Sequence, residues 1–177
     1  MNSAANIGYT EMDSPIGTLV VAATDAGVCH IEFGSMEEHR EELEAWSARW
    51  VKTRTWIRRD EELADVREQL EAYFRGDRRR FDVRLDLRGT AFQRKVWAAL
   101  CEIPYGSTVS YKEIGQRIGN AKAVRAVGGA NHCNPVPIIV PCHRVIGADG
   151  SLVGYGGGLH IKKYLLELEA PHEIRGH

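Results

Sequence analysis

A cysteine and a histidine stand side by side at Cys142 and His143. A free thiol has a pKa of ~8.5, so a neighbouring imidazole that accepts its proton would leave the stronger nucleophile, the thiolate. The apolar run Ile138–Val140 predicts a short buried strand that carries the cysteine at its end. His143 would then point away from the sulfur and reach it through a bent backbone or a bridging water. A Cys-His pair alone is more often an inert core thiol beside a satisfied polar residue.

Two helices with a short link between them precede this pair. Ser110 and Glu113 have capping-box spacing and open a helix that Gly119 follows, and Ala123–Ala130 forms a second helix after a three-residue link. This pattern fits a DNA-binding helix-turn-helix and an ordinary helical hairpin about equally well. A further capping box at Thr90 and Gln93 predicts a helix with a stripe of large apolar residues, Phe92, Val96, Trp97 and Leu100.

The segment after the cysteine predicts a hairpin, a loop and a helix. Asp149-Gly150 is a tight-turn pair between the apolar pairs Val145-Ile146 and Leu152-Val153. Four glycines between positions 154 and 158 predict a loop that lets backbone approach a ligand closely. Leu159–Glu169 has the periodicity of an amphipathic helix.

The first half of the sequence predicts a small α/β or α+β unit. Ile16–Thr24 and Val28–Phe33 are β-prone runs, and Met36–Trp50 is a charged helical segment. A second helix runs from an N-cap at Asp60 to Phe74, with Gly76 just beyond its end. Alternating apolar residues then predict a half-buried strand with Phe81, Val83, Leu85 and Leu87 on one face.

Composition indicates a globular protein with an uneven charge. The chain has 177 residues, 44% hydrophobic and 27% charged, without a run long enough to span a bilayer or a signal-peptide pattern at its start. We therefore expect a cytoplasmic protein with four reduced cysteines. Residues 1–88 carry a net charge of −5 and residues 89–177 a net charge of +4, so an anionic partner would favour the second half. Charge alone is equally consistent with an uneven solvated surface.

The motifs in the second half resemble those of the O6-alkylguanine-DNA alkyltransferase family. The active-site signature is Pro141-Cys142-His143-Arg144-Val145. Further matches follow the family's order and spacing: Phe92-Gln93, Val96-Trp97, Ile103-Pro104-Tyr105-Gly106, Ser110-Tyr111, Arg125-Ala126-Val127-Gly128, Asn134-Pro135-Val136-Pro137 and Gly157-Gly158-Leu159. The resemblance is specific over Arg88–Glu169 and looser before it. It implies an α/β (α+β) protein with a ribonuclease-H-like domain at residues 1–88 and a mostly helical catalytic domain with a helix-turn-helix at residues 89–177.

The resemblance assigns catalytic roles to five residues. Cys142 is the nucleophile and alkyl acceptor, and His143, linked through a water and oriented by Glu169, is the base. Asn134 braces the turn that carries the cysteine. Tyr111 donates to the base's ring nitrogen, so that guanine leaves as a neutralised group.

The resemblance also assigns DNA-binding and pocket residues. Arg125 would occupy the space of the flipped-out base, since a target atom inside a duplex is unreachable otherwise. The small residues of the second helix would let it lie in the minor groove, with Tyr111 beside it: Ala123, Ala126, Val127 and Gly128. Backbone groups of Val145 and Gly156, with Tyr155 and Pro137, would line the substrate pocket. Some relatives have serine in place of Gly156, so we assume no hydroxyl contact there.

The implied partner is double-stranded DNA that carries alkylated bases, without a cofactor, because the protein itself accepts the group. We predict one transfer per molecule and a monomer; the sequence leaves open whether copies bind side by side on DNA. Thr24 and Cys29 stand where some relatives have zinc ligands, so we predict no metal. Two other interpretations remain: a DNA-binding regulator that does no chemistry, and a cysteine hydrolase acting on a small substrate.

Overall fold

A computed structural model describes residues 6–170 of the protein. The chain forms two compact units, Met1–Gly89 and Thr90–His177. None of the helices within the described residues is long and apolar enough to cross a membrane.

A four-stranded sheet organises the first unit, with strands β1 (Ile7–Met12), β2 (Leu19–Thr24), β3 (Gly27–Phe33) and β4 (Trp56–Arg58). Its order is β3-β2-β1-β4, antiparallel except for the parallel pair of β1 with β4. The predicted strands β2 and β3 are confirmed. β2 begins three residues later than predicted, because residues 14–17 form a turn closed by the Gly17 N–H on the Ser14 carbonyl, 3.0 Å.

Two helices accompany this sheet, α1 (Met36–Trp50) and α2 (Ala64–Phe74). The bounds predicted for α1 are confirmed, and a capping box of Ser35 with Glu38 starts it. The predicted N-cap of α2 is wrong. Asp60 instead accepts hydrogen bonds from Thr10 Oγ1 (2.7 Å) and Arg58 Nε (3.0 Å). The predicted C-terminal end is confirmed, since Gly76 has φ 80° and its N–H bonds the Tyr73 carbonyl.

The strand predicted around residues 81–87 is wrong. Only one bridge forms, between Leu85 and Val28. The side chain of Gln69 takes both backbone groups of Asp82, donating to its carbonyl at 3.1 Å and accepting from its N–H at 2.9 Å. Those groups are therefore unavailable to a ladder, and the segment stays extended without becoming a strand.

The core of the first unit lies between the sheet and α1. Its buried cluster consists of Ile7, Tyr9, Val20, Ala22, Cys29, Met36, Leu43, Val51 and Trp56. A second group of buried side chains comes from α2: Val66, Leu70, Tyr73 and Phe74. The runs of buried residues along β1 to β3 and the helical stripes therefore close the unit around its own interior.

The second unit is mostly helical, with α3 (Ala91–Leu100), α4 (Tyr111–Arg117), α5 (Val124–His132) and α6 (Leu159–Glu169). The bounds predicted for α6 are confirmed, and so is the α3 capping box. Only half of the second box forms: Ser110 accepts the Glu113 N–H, while the Glu113 carboxylate pairs with Arg117 at 2.7 Å. The indole of Trp97 donates to the Ala130 carbonyl at 2.8 Å and joins α3 to α5.

Two further strand predictions in this unit are wrong. Residues 138–140 form a turn, in which Ile138 has φ 76° and the Val140 N–H bonds the Val136 carbonyl at 2.9 Å. Strand β6 (Val145–Ile146) pairs in parallel with β5 (Val109–Ser110) and not with residues 152–153. The turn predicted at Asp149-Gly150 is present, with φ 85° at the glycine.

Candidate active site

The turn that carries Cys142 is braced by one side chain. Asn134 Nδ2 donates to the Val140 carbonyl at 2.8 Å, and its Oδ1 accepts the Val136 N–H at 3.0 Å. The Cys142 N–H then bonds the Val140 carbonyl, and a single 3₁₀ turn, Cys142–Arg144, follows. A 3₁₀ turn, rather than a strand end, therefore sets the directions of Cys142 and His143.

The Cys142 thiol is buried, and only 5% of the residue is exposed. Burial raises its pKa to about 11, although hydrogen bonds from Asn134 and Tyr155 and the charge of Lys162 act in the opposite direction. The thiol is therefore protonated at neutral pH in the free protein. A base is needed before the sulfur can act as a nucleophile.

A buried ion network lies next to the thiol. His143 Nε2 is 2.7 Å from Glu169 Oε2, and Arg144 binds both carboxylate oxygens of Glu169 at 2.7 and 3.0 Å. Arg144 also donates to the Ile103 carbonyl at 2.6 Å. Burial opposes ionisation of Glu169, but the hydrogen bonds and charges of His143 and Arg144 lower its pKa to about 2. The carboxylate is thus an anion at neutral pH.

The same network leaves His143 neutral and ready to accept a proton. Complete burial lowers its pKa, and Glu169 only partly offsets this. A carboxylate accepts hydrogen bonds, so the proton of the neutral ring sits on Nε2 and the lone pair on Nδ1. Within residues 6–170, Nδ1 has no hydrogen-bond partner from the protein. The base nitrogen is therefore free on the side away from Glu169.

Sequence reasoning missed Lys162, which is fully buried. Its ammonium group donates to the carbonyls of Val145 (2.6 Å) and Val153 (2.9 Å) and lies 5.9 Å from the centre of the Tyr111 ring. Lys162 shares the α6 face of Leu165 and Glu169, at spacings of three and seven residues, so helical periodicity carried a signal for its burial.

The structure brings all five predicted catalytic residues to one cluster. Tyr111 donates to the Val153 carbonyl at 3.0 Å. Burial raises the pKa of its hydroxyl, and the neighbouring Cys142 raises that pKa further. The predicted pocket residues Pro137 and Val145 are buried, and Gly156 is exposed. Burial and the neighbouring Cys142 raise the pKa of the Tyr155 hydroxyl well above its usual value. The Val145 carbonyl is occupied by Lys162, which sequence reasoning did not foresee.

The predicted DNA-binding residues differ in exposure. Arg125 and Ala126 are exposed on α5, and Ala123 and Gly128 are half-buried. The side chain of Val127 is fully buried, and the predicted part of this residue in DNA binding stays a prediction. An apolar side chain that packs in the core of the unit leaves only its backbone for such a contact.

Known proteins resemble both units. The ribonuclease-like domain of 6-O-methylguanine DNA methyltransferase matches residues 7–87, and the DNA binding domain of the same family matches residues 91–171. A methylated-DNA–protein-cysteine methyltransferase of Methanosarcina barkeri is 47% identical over 161 residues, 91% of this chain and 96% of the relative. The chain belongs to this family. Its members move a methyl group from methylated DNA to a cysteine of the protein.

Solved structures of the family share the fold. The O6-methylguanine methyltransferase of Mycobacterium tuberculosis is 45% identical, with a TM-score of 0.80 over 96% of this chain and 98% of its own. A second structure from that organism, in complex with DNA, is 44% identical with a TM-score of 0.78, over 94% and 97%. These comparisons confirm the predicted alkyltransferase family, the mixed α/β fold and the transferase activity.

Thr24 and Cys29, which stand where some relatives have zinc ligands, make other contacts in this structure. Thr24 donates to the carboxylate of Asp86, and Cys29 is a buried core thiol whose pKa burial raises to about 12. Within residues 6–170, no group of three or more His, Cys, Asp or Glu side chains could hold a metal ion. The absence of metal stays a prediction.

Proposed function

We propose that Cys142 accepts the alkyl group from O6-alkylguanine, and from O4-alkylthymine, after the damaged base has left the duplex. The observation that carries this proposal is the buried hydrogen bond between Glu169 and His143, next to a thiol whose pKa is about 11. A protonated thiol next to a neutral imidazole needs only a proton transfer to become a nucleophile. The anionic Glu169 stabilises the imidazolium that results.

Atoms and electrons balance in this transfer. The thiol proton passes through a water to His143 Nδ1, and the thiolate sulfur attacks the alkyl carbon. A carbon–sulfur bond forms while the carbon–oxygen bond breaks, and its electron pair stays with the base. Tyr111 donates its hydroxyl hydrogen to the ring nitrogen, which neutralises the leaving base. The proton that His143 took from the thiol is then released and replaces the one lost by Tyr111, so both side chains end neutral. The product is a thioether, from which a thiolate is a poor leaving group, so each molecule reacts once.

Delivery of the base rests on α5. Arg125 is exposed at the second residue of that helix, where it can fill the gap left by an extruded base. The short side chains of Ala123, Ala126 and Gly128 allow the helix to approach a minor groove closely. Contacts to groove shape and phosphates suit a repair protein, because damage occurs in any sequence.

The substrate pocket for the flipped base lies next to Cys142. We assign its wall to Pro137 and Tyr155 and its polar contacts to the backbone of Val145 and Gly156. The partner is double-stranded DNA with alkylated bases, and the protein acts as a monomer. We further propose that it works in the cytoplasm, where the four free cysteines stay reduced.

Intact-mass measurement tests the proposal. With excess O6-methylguanine duplex, each wild-type molecule is expected to gain one methyl group, located on the peptide that contains Cys142. Cys142→Ala is expected to gain none, while Cys133→Ala, a matched change at an exposed thiol, reacts as the wild type does. Repair by Cys142→Ala, or many repairs per molecule, would overturn the proposal. Binding of damaged DNA without methyl gain would favour the regulator.

A further inference from the structure

One backbone carbonyl ties the glycine-rich segment, residues 152–158, to two helices. The Val153 carbonyl accepts hydrogen bonds from Tyr111 Oη at 3.0 Å and from Lys162 Nζ at 2.9 Å. These donors come from α4 and α6. Lys162 is fully buried and also holds the Val145 carbonyl at 2.6 Å. The segment has no helix or strand of its own, so these two bonds anchor its first half.

The anchored segment places Tyr155 next to the reactive sulfur. Three residues after the start of the segment, the Tyr155 hydroxyl lies close enough to Cys142 for the cysteine to raise its pKa, in addition to the larger effect of burial. Gly154, between the two contacts, has φ 54°, a conformation that glycine adopts without strain. A side chain at that position would approach the Tyr111 hydroxyl, since an added β-carbon would lie 3.9 Å from it. The two hydrogen bonds to the Val153 carbonyl therefore determine where Tyr155 lies relative to the thiol.

The Tyr111 hydroxyl cannot serve two acceptors at once. A phenol has a single hydrogen to donate, and in the free protein Tyr111 gives it to Val153. Burial and the neighbouring Cys142 raise the pKa of Tyr111, so the hydroxyl stays protonated at neutral pH. If Tyr111 protonates the leaving base, as the proposed function requires, its bond to Val153 must first break.

We propose that the Tyr111–Val153 hydrogen bond closes the glycine-rich segment over Cys142 in the free protein, and that a damaged base opens it by taking the hydrogen. This inference rests on the proposed function. Lys162 makes the exchange inexpensive, because its ammonium group stays on the Val153 carbonyl and this acceptor keeps a donor when Tyr111 leaves. Lys162 is thus a positioning residue: it keeps the Val153 carbonyl hydrogen-bonded while Tyr111 changes partner.

Selective isotope labelling isolates the carbonyl in question. The sequence contains two Val-Gly pairs, Val127-Gly128 and Val153-Gly154. Protein made with carbonyl-¹³C valine and ¹⁵N glycine therefore shows two correlations in a carbonyl-to-amide NMR experiment. The first pair lies in α5 and reports DNA contact, and the second reports hydrogen bonding to the Val153 carbonyl.

In the free protein, Tyr111→Phe is expected to move the Val153 carbonyl carbon upfield, because one of its two donors is lost. Tyr105→Phe is the matched control, since it removes a hydroxyl that donates to a different carbonyl, that of Leu168. It should leave the Val153 resonance unchanged. Equal Val153 resonances in the wild type and Tyr111→Phe would overturn the closing bond without reference to the proposed function.

Unreactive Cys142→Ala protein tests the opening step. An undamaged duplex is expected to shift only the Val127-Gly128 correlation, because its bases stay stacked. An O6-methylguanine duplex should shift both, with Val153 moving to the position seen in Tyr111→Phe. If the wild type gains its methyl group while Val153 keeps its free-protein resonance in the damaged complex, the exchange is overturned and the proposed function stands. Absence of methyl gain overturns the proposed function itself.

Discussion

At the scale of single residues, the state of one sulfur controls the reaction. Cys142 combines burial with a pKa of about 11, whereas the bond network of His143 and Glu169 supplies a neutral base. The sequence predicted these three residues and Asn134 through motif resemblance. It could not predict the protonation of the thiol, because that depends on how completely residues distant in the sequence exclude water.

We expect the thiol of the free protein to react with iodoacetamide more slowly than exposed Cys133 at neutral pH. Its rate should rise roughly tenfold per pH unit well beyond neutrality, because the thiolate is the reactive form and its pKa is about 11. Peptide mass spectrometry at several pH values measures both cysteines in one sample. A rate at Cys142 that levels off near neutral pH would contradict the expectation.

Glu169 should link stability to acidity. Its pKa in the folded protein, about 2, lies below the value of about 4.3 for an unfolded chain, so its contribution is complete above about pH 4.3 and disappears as pH falls towards about 2. Glu169→Gln should lower the free energy of unfolding at neutral pH by about 3–5 kcal/mol, because Arg144 loses its buried partner. Urea unfolding measures this.

The matched control is Glu167→Gln, at an exposed position of the same helix, which should leave the free energy of unfolding within about 0.5 kcal/mol of the wild type. Between about pH 4.3 and about pH 2, the wild type should lose more stability than Glu169→Gln does. Parallel losses in the two proteins would show that the carboxylate does not carry the linkage.

At the scale of elements, periodicity and capping predicted the helices well. The bounds of α1 and α6 follow from the sequence, and the α3 capping box forms as predicted. Two apolar patterns predicted strands that do not form: residues 138–140 are buried or half-buried, and Phe81, Val83, Leu85 and Leu87 are half-buried. In both places a side-chain amide, of Asn134 or Gln69, takes the backbone groups that a strand partner would need. A side chain that replaces a strand partner in this way leaves no periodic signal in a sequence.

Two glycines of the first unit, Gly27 and Gly76, allow the cost of a left-handed backbone to be compared with the cost of a steric clash. Both have positive φ, but a β-carbon on Gly27 would lie 2.6 Å from the Arg84 carbonyl oxygen, whereas Gly76 has nothing within 4 Å. Gly76→Ala should therefore cost about 1–2 kcal/mol, the penalty of the left-handed conformation. Gly27→Ala should cost clearly more, because the segment of Arg84 must move away from β3. Equal losses in urea unfolding would show that no such close approach exists.

At the scale of the whole molecule, each unit has its own core, and the charge is divided between the two halves of the sequence. The net charge of +4 over residues 89–177 accompanies the helices that we propose to contact DNA. The charge division did not require the structure. The buried lysine did, because a single ammonium group is held by carbonyls of β6 and of the glycine-rich segment, which are separate in the sequence.

Affinity for an undamaged duplex should fall as salt rises. Each phosphate neutralised by the protein releases counterions, so the logarithm of the binding constant should decrease linearly with that of salt concentration, by about 0.9 per phosphate. Fluorescence anisotropy over a salt series measures the slope. Glu102→Gln, an exposed change in the second unit, serves as a charge control and should not steepen it. Affinity that does not depend on salt would contradict phosphate contact.

The closed, uncharged sulfur has a consequence for the lifetime of the molecule. A protein that is spent after one event cannot regain capacity by turnover, so any accidental encounter with peroxide or a small electrophile would waste it. Oxidants and electrophiles attack thiolates that solvent can reach. A thiol kept neutral next to Tyr155 and the glycine-rich segment reacts slowly with both until a base enters, and the cell's supply of unused molecules is thereby preserved.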